Sequence, residues 1–260
     1  MKRPPKTKMA VTHTFDYWKS GIRLYLAIAI VLLSVGVVWW SSTVYGESTL
    51  AFIRAQQIFG WLSIGWLAAA LLIGPLCAMR PRLPFKSLLF DARRLLGIGA
   101  GWFALLHAGI VYIKLFGMPN IFDLSDTYRL AFGLGILSLA VLLAMMFTSF
   151  DAALKKMGTW WFRLHRLVYA VVLMVLLHVF LIGTHATGGL ALSLLTVAIA
   201  AIAGLHGYVV FTRRSASSFA LAGYVVFLLA AMLTIAYGYD RASSERSVSV
   251  VSISAPELIS

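Results

Sequence analysis

Long apolar runs alternate along the chain with short connections that hold most of the charged and turn residues. A helix that crosses the hydrocarbon core of a bilayer needs about 20 predominantly apolar residues. Seven runs fit this requirement, and none has an Asp or Glu near its centre: Ile22–Trp40, Ile58–Met79, Leu95–Phe116, Leu130–Ser149, Leu164–Gly183, Leu190–Phe211 and Phe219–Gly238. The pattern therefore predicts an all-α fold, an integral membrane helical bundle of about seven transmembrane helices.

The distribution of Lys and Arg predicts the orientation of this bundle. Most of the 22 basic residues lie in the N-terminal arm and in the second-to-third, fourth-to-fifth and sixth-to-seventh connections, which share one side of the membrane. Basic residues collect on the cytoplasmic side, so the N-terminus is predicted to be cytoplasmic. The chain then divides into a basic cytoplasmic arm (1–21), a transmembrane bundle (22–238) and an extracytoplasmic tail (239–260). We expect a multi-pass protein of the bacterial inner (cytoplasmic) membrane.

Composition excludes an ordinary water-soluble protein. Apolar residues make up 61% of the chain and charged residues 12%, against about 45–50% and 25% in soluble domains. The net charge of +13 is explained by the topology, so we expect contact with membrane lipids and no nucleic-acid binding. The single cysteine, Cys77, excludes a disulfide framework and a metal cluster held by cysteines alone. No segment has the glycine-rich phosphate loop of a nucleotide-binding domain.

Two histidines stand out because the predicted spans lack central carboxylates. His107 follows Arg94 by 13 residues, and His178 follows His165 by the same interval, so each is predicted about 20 Å from the cytoplasmic end of its helix. The third and fifth predicted helices run in the same direction, which sets the two histidines at similar depth. Neutral imidazole is a good axial ligand for haem iron. The pair therefore favours a haem site, and the alternative is two hydrogen-bonded packing residues.

The other histidines leave more than one interpretation open. His165, at the cytoplasmic start of the fifth predicted helix, is either a ligand of a second, inner haem or an interfacial polar residue. His206 is either its partner or a packing residue. His185 is either a loop residue or a contact of a haem propionate or a quinone, and His13 is assigned no role.

Glycines are concentrated in the third and fourth predicted helices. Small residues let helix backbones approach closely in a membrane, and they would also admit a flat porphyrin. We favour helix packing for these glycines: Gly97, Gly99, Gly101, Gly133 and Gly135.

Motifs in the third and fifth predicted helices resemble a known family. The segment Arg93–Gly97 (RRLLG) is followed by His107, and the segment Leu164–Tyr169 (LHRLVY) is followed by His178; Ile73–Leu76 (IGPL) adds a third match. These motifs resemble the ferric-reductase-like transmembrane family. Its members include the membrane domains of ferric reductases and NADPH oxidases and the haem-binding membrane subunit of the periplasmic methionine sulfoxide reductase system. The resemblance covers about residues 50–185, and its pattern is most similar to that haem-binding subunit.

The resemblance implies roles for particular residues. It implies that His107 and His178 hold haem b. Arg93 occupies the place of the first histidine of the two-haem members, as in the sulfoxide reductase subunit, so His165 becomes a weaker ligand or a quinone-side residue. One haem is expected, or two if His206 partners His165. Three arginines are candidates for the propionates of an inner haem or for anionic lipid head groups: Arg93, Arg94 and Arg166.

The sequence as a whole favours a membrane b-type cytochrome, an electron-transfer subunit of an oxidoreductase system with no catalytic residue of its own. The predicted donor is a quinol from the quinone pool, or a reduced flavin such as FMN supplied by a cytoplasmic flavin reductase. The predicted acceptor is an extracytoplasmic redox protein such as a periplasmic reductase. The alternatives are a ferric or metal-chelate reductase subunit, and a non-redox membrane transport or assembly component with structural histidines.

Overall fold

The computed structural model describes residues 10–80, 82–83, 85–115 and 124–182, and residues 201–202, 204–205, 207 and 209. Only the backbone is described for residues 10–20 and 114–115. Every regular element among these residues is helical, which confirms the all-α prediction. The elements are α1 (Ala10–Tyr45), α2 (Thr49–Met79), α3 (Lys86–Ile110) continued by a π-helical turn (Val111–Leu115), α4 (Asp126–Phe147), α5 (Asp151–Met157), α6 (Thr159–Arg166) and α7 (Val168–Ile182).

The described residues contain five segments long and apolar enough to cross a membrane, and each overlaps one of the first five predicted runs. Their bounds are Gly21–Tyr45, Thr49–Met79, Lys86–Ile113, Asp126–Phe147 and Thr159–Ile182. In the sixth predicted run, the described residues between 201 and 209 are helical. The seventh run, the tail and the first nine residues lie outside the described residues.

The fifth predicted helix is divided, contrary to the sequence prediction of one continuous helix. The helices α6 and α7 meet at Leu167, whose amide donates to the carbonyl of Leu164 at 3.0 Å, three residues back instead of four. Tightening one turn changes the rotation of the residues that follow. His165 lies on α6 and His178 on α7, so the angle between them on an ideal helix does not describe their relative direction.

Packing divides the chain into two units, and the first comprises residues 1–119 and 142–161. Its centre is the antiparallel pair α2 and α3, with α1 against both. Phe59 and Phe103 are fully buried between α2 and α3, and their rings stack with centroids 6.2 Å apart. The hydroxyl of Ser63 donates to the carbonyl of Ala100 at 2.9 Å across the same interface. Aromatic packing and one buried interhelical hydrogen bond therefore fix α2 against α3.

Two glycines of α3 admit side chains from neighbouring helices. A Cβ at Gly99 would lie 2.3 Å from Cε3 of Trp66, and one at Gly101 would lie 3.3 Å from Sδ of Met146. A Cβ at Gly97 would meet nothing within 4 Å. The space at Gly99 and Gly101 thus serves helix packing, as predicted, and the flat group against Gly99 is an indole ring.

The second unit comprises residues 120–141 and 162–260. Its described core lies on α7 and on the first part of α4. The buried residues are aliphatic on α7, and the α4 part adds one phenylalanine and one serine: Val171, Val172, Leu176, Ala131, Phe132 and Ser138. The hydroxyl of Ser138 donates to Leu134 O within its own helix, at 2.7 Å. The described core of this unit therefore contains fewer aromatic rings than that of the first.

Large apolar side chains are exposed along the outside of α1. Leu32 and Trp39, for example, keep about two thirds of their surface accessible, at 66% and 67%. Lipid tails are as apolar as these side chains, so such exposure costs nothing inside a bilayer. The surface of α1 is therefore that of a helix in contact with lipid.

Candidate functional site

His107 lies near the end of α3, where its ring packs against the backbone of α2. Nδ1 of His107 is 2.8 Å from the carbonyl oxygen of Gln56. Gly60 lies one helical turn after Gln56, and a Cβ built there would be 3.2 Å from the same nitrogen. The imidazole therefore occupies the space that a side chain at residue 60 would fill.

His178 on α7 repeats this arrangement against α4. Nδ1 of His178 is 2.8 Å from the carbonyl oxygen of Ala131. Gly135 lies one turn after Ala131, and a Cβ built there would be 2.9 Å from both Nδ1 and Cε1. Each unit of the molecule thus contains a half-buried histidine whose Nδ1 lies against a backbone carbonyl, with a glycine four residues beyond that carbonyl.

The two hydrogen bonds place a proton on Nδ1 of each ring. A carbonyl oxygen only accepts hydrogen bonds, so Nδ1 must carry the proton and donate it. In a neutral imidazole the lone pair then lies on Nε2. Nδ1–H to a backbone carbonyl, with Nε2 as the donor atom, is a common state of histidines that ligate metals.

Aromatic rings support His107. Phe103 lies four residues before His107 on α3, so both side chains lie on the same face of that helix. The ring of Phe103 stacks on Phe59, the residue before Gly60, and meets Trp66 edge-on with centroids 5.5 Å apart. This cluster restricts the spacing between α2 and α3 at the turn where His107 reaches Gln56.

The remaining predicted site residues have different positions. His165 is half-buried at the end of α6, next to the exposed Arg166. His206 lies outside the described residues. Arg93 is half-buried on α3, and Arg94 forms an ion pair with Asp151 at the start of α5, with 2.5 Å between Nη1 and Oδ1.

Asp151 lies outside the membrane spans, between those of α4 and of α6 with α7. The hydrogen bond from Arg94 and its positive charge hold the pKa of the Asp151 carboxyl below its ordinary value, and Arg23 and Lys155 act in the same direction. Arg23 itself pairs with Asp91 of α3 at 2.7 Å. Ion pairs therefore join α1 to α3 and α3 to α5 at this end of the first unit.

The sequence pattern indicates both histidines but not their backbone acceptors. It predicts only helix packing for Gly135, and it does not single out Gly60. Their shared signal is a glycine inside an apolar helix, which opens the carbonyl one turn earlier. Among the described residues, no group of three or more His, Cys, Asp or Glu side chains is arranged to hold a metal ion.

Comparison with known proteins covers this same region. Residues 59–177 match the family model of the ferric reductase like transmembrane component. The chain is 35% identical over 125 residues to the protein-methionine-sulfoxide reductase heme-binding subunit MsrQ of Cronobacter sakazakii, covering 47% of this chain and 60% of that protein. It is 32% identical over 179 residues to magnetosome protein MamZ of Magnetospirillum gryphiswaldense, covering 66% of this chain and 26% of that protein. No solved structure matches the chain.

The aligned part of the chain spans less than two thirds of the length of either curated relative. The family match begins at Phe59 in α2 and ends at Leu177, directly before His178. It contains Gly60, His107 and the whole of α4 with Ala131 and Gly135. The chain is a multi-pass membrane protein, and its residues 59–177 resemble the ferric-reductase-like transmembrane family.

Proposed function

We propose that the protein is a membrane b-type cytochrome in which His107 and His178 would hold haem b. The observation that carries the proposal is the repeated state of the two histidines. Each is half-buried within a membrane span and gives its Nδ1 proton to a backbone carbonyl at 2.8 Å. Haem with two imidazole ligands needs two such neutral rings, each with a lone pair on Nε2.

The donor chemistry of the described residues fits haem better than a bare metal ion. A structural or catalytic metal site normally uses three or more protein ligands, whereas a porphyrin supplies four nitrogens and needs only axial donors from the protein. When bound, haem supplies a one-electron Fe(III)/Fe(II) couple. The chain's own contribution is to hold the two rings, exclude water around them and set the polarity of their surroundings.

The resemblance to MsrQ supports this assignment, because that relative is named as a haem-binding subunit of a methionine sulfoxide reductase. We propose that electrons travel from a quinol or a reduced flavin on the cytoplasmic side to an extracytoplasmic redox protein. The excess of basic residues in alternate connections supports the orientation, with the N-terminus in the cytoplasm. Under this proposal the chain itself transfers electrons and the partner carries out the chemical reduction.

The first test is a reduced-minus-oxidised absorption spectrum of the purified full chain, with haem measured as its pyridine complex. We expect about one b-type haem per chain. His107→Ala and His178→Ala should each lose the low-spin spectrum, while His165→Ala keeps it. About two haems per chain would assign a ligand role to His165 as well, with His206 as the first partner to substitute. Folded, membrane-inserted protein without haem would favour the non-redox alternative.

A second acceptor class follows from the family description, which is that of ferric reductases. The full chain in liposomes, reduced by a quinol, can be offered a soluble Fe(III) chelate on the outside. Chelate reduction that is lost in His178→Ala would favour a metal-chelate reductase. If haem is reduced by the quinol but the chelate is not, the acceptor is a protein partner, as proposed.

A further inference from the structure

We infer that Gly60 and Gly135 are positioning residues: each uncovers a backbone carbonyl so that the imidazole of His107 or His178 is held by it in one orientation and one tautomer. The inference rests on the proposed function for its consequence at haem. Its structural part, the fit of each ring into the space at a glycine, stands without haem.

Helix geometry explains why glycine is needed. In an α-helix the carbonyl of residue i bonds the amide of residue i+4, and the Cβ of a residue tilts toward the helix N-terminus. The Cβ at position i+4 therefore leans over the carbonyl at position i. Gly60 stands in this relation to Gln56, and Gly135 to Ala131. Without a Cβ, the second lone pair of each carbonyl is open to a donor from a neighbouring helix.

The distances show that each imidazole ring fills the space beside its glycine. A Cβ at Gly60 would lie 3.2 Å from Nδ1 of His107 and 3.5 Å from its Cε1, tighter than most real contacts of a Cβ atom. A Cβ at Gly135 would lie 2.9 Å from Nδ1 and Cε1 of His178, closer than real Cβ atoms come. Either ring would have to withdraw, and withdrawal lengthens the 2.8 Å bond from Nδ1 to the carbonyl.

Neighbouring glycines show that this closeness is specific to the site. Gly65 lies on α2 five residues after Gly60, and Gly133 lies on α4 two residues before Gly135. A Cβ at either position would meet nothing within 4 Å. Each of α2 and α4 therefore provides one glycine against a histidine ring and one control glycine in open space.

The chemical consequence lies in the donor strength of Nε2. Donation of Nδ1–H to a carbonyl fixes the tautomer and orientation of a ligating histidine and increases the basicity of its other nitrogen. Loss of such an outer partner typically reduces metal affinity or activity about 10- to 100-fold. Weakening the Nε2 donor reduces the stability of Fe(III) more than that of Fe(II), so the midpoint potential should rise.

The experiment compares Gly60→Ala and Gly135→Ala with Gly65→Ala and Gly133→Ala in the full chain. We expect haem dissociation about 10- to 100-fold faster in the first two, a higher midpoint potential and partial conversion of the low-spin to the high-spin spectrum. The controls should retain wild-type haem retention, potential and spectrum. If Gly60→Ala and Gly135→Ala match their controls in all three, the inference is wrong. Loss of haem in His107→Ala and His178→Ala would still support the proposed function.

A second measurement does not need haem. In the haem-free chain, Gly135→Ala should lower thermal stability when His178 is present, and the loss should vanish in a His178→Ala background, because the clashing ring is gone. The same cycle applies to Gly60 with His107. An equal loss in both backgrounds would mean that the alanine acts elsewhere in the helix, and would overturn the inference even where the single variants bind too little haem to study.

Discussion

The two histidine regions use the same hydrogen bond in different surroundings. At His107 the ring lies beside a cluster of stacked aromatic residues, and a Cβ built at the glycine opposite would lie 3.2 Å from Nδ1 of the ring. At His178 the buried neighbours along α7 are aliphatic, and a Cβ built at the glycine opposite would lie only 2.9 Å from Nδ1 of the ring. The acceptor distance is 2.8 Å in both.

The comparison shows that the hydrogen bond from each histidine does not depend on one kind of core. What the two regions share is backbone: a carbonyl, and a glycine one turn later. What differs is the packing beside each ring, which is aromatic stacking at Phe103 in the first region and a closer fit of the imidazole against Gly135 in the second. We therefore expect the His107 region to be sensitive to changes in its core and the His178 region to be sensitive to changes in its glycine.

The largest expected effect is that of Phe103→Ala. In water-soluble proteins the buried Phe→Ala change costs about 3–5 kcal/mol from transfer and cavity together. Inside a bilayer the transfer part falls because lipid is as apolar as the core, so we expect a loss of about 2–4 kcal/mol in unfolding free energy. Leu176→Ala on α7 is the matched change, with a smaller cavity. Equal losses in detergent-solubilised protein would contradict the special role of the aromatic cluster.

Gly99→Ala tests the packing of Trp66 in the first unit. Its Cβ would lie 2.3 Å from the indole, and such overpacking typically costs about 1–3 kcal/mol. Gly97→Ala, two residues earlier and in open space, should stabilise the helix by about 0.5–1 kcal/mol. Adding Trp66→Leu to Gly99→Ala should restore part of the loss. Thermal unfolding of the wild type and the three variants measures these changes in stability. If the double variant is no more stable than Gly99→Ala, a clash with the indole is excluded.

Ser63→Ala is expected to have a smaller effect. It removes the 2.9 Å hydrogen bond from α2 to Ala100 O of α3, and hydrogen bonds between helices in membranes average about 0.6 kcal/mol. Ser138→Ala in the second unit removes only a bond within α4 and should be close to neutral. Chemical unfolding in mixed micelles measures both. An equal loss in both would show that the bond between helices adds nothing beyond a local one.

Asp151→Asn should change the pH dependence of stability slightly. Arg94 lowers the pKa of Asp151 below its ordinary value of 3.8. A carboxyl with a lowered pKa in the folded state stabilises the protein above its ordinary pKa, and this contribution is lost as the pH falls through the lowered value. Asp151→Asn should therefore unfold at lower temperature than wild type near neutral pH, and the difference should disappear in acid.

Solvent exposure limits the size of this effect, because surface ion pairs are screened by water and salt. Asp126→Asn is a control for loss of an exposed carboxylate, since its pair with Arg129 lies within a single helix turn. A difference between Asp151→Asn and wild type that persists at acid pH would show that the asparagine acts through packing and not through the ion pair.

Sequence alone predicted much of the fold, and the parts it missed have a common cause. Runs of apolar residues located the five spans that the described residues contain, because length and hydropathy suffice for this. The division at Leu167 was missed because no proline or glycine lies at the join between α6 and α7. The pairing of Arg94 with Asp151 was missed because it joins residues 57 positions apart.

The sequence by itself determined the membrane environment and the number of described spans, and it indicated the two histidines as candidate ligands. These follow from local composition and from the scarcity of polar groups in the spans. Only the tertiary structure decided what each histidine contacts. A transmembrane helix is apolar on every side, so its pattern does not show which face meets which neighbour. The carbonyl that accepts from an imidazole is part of the backbone, which carries no sequence signal beyond the glycine that uncovers it.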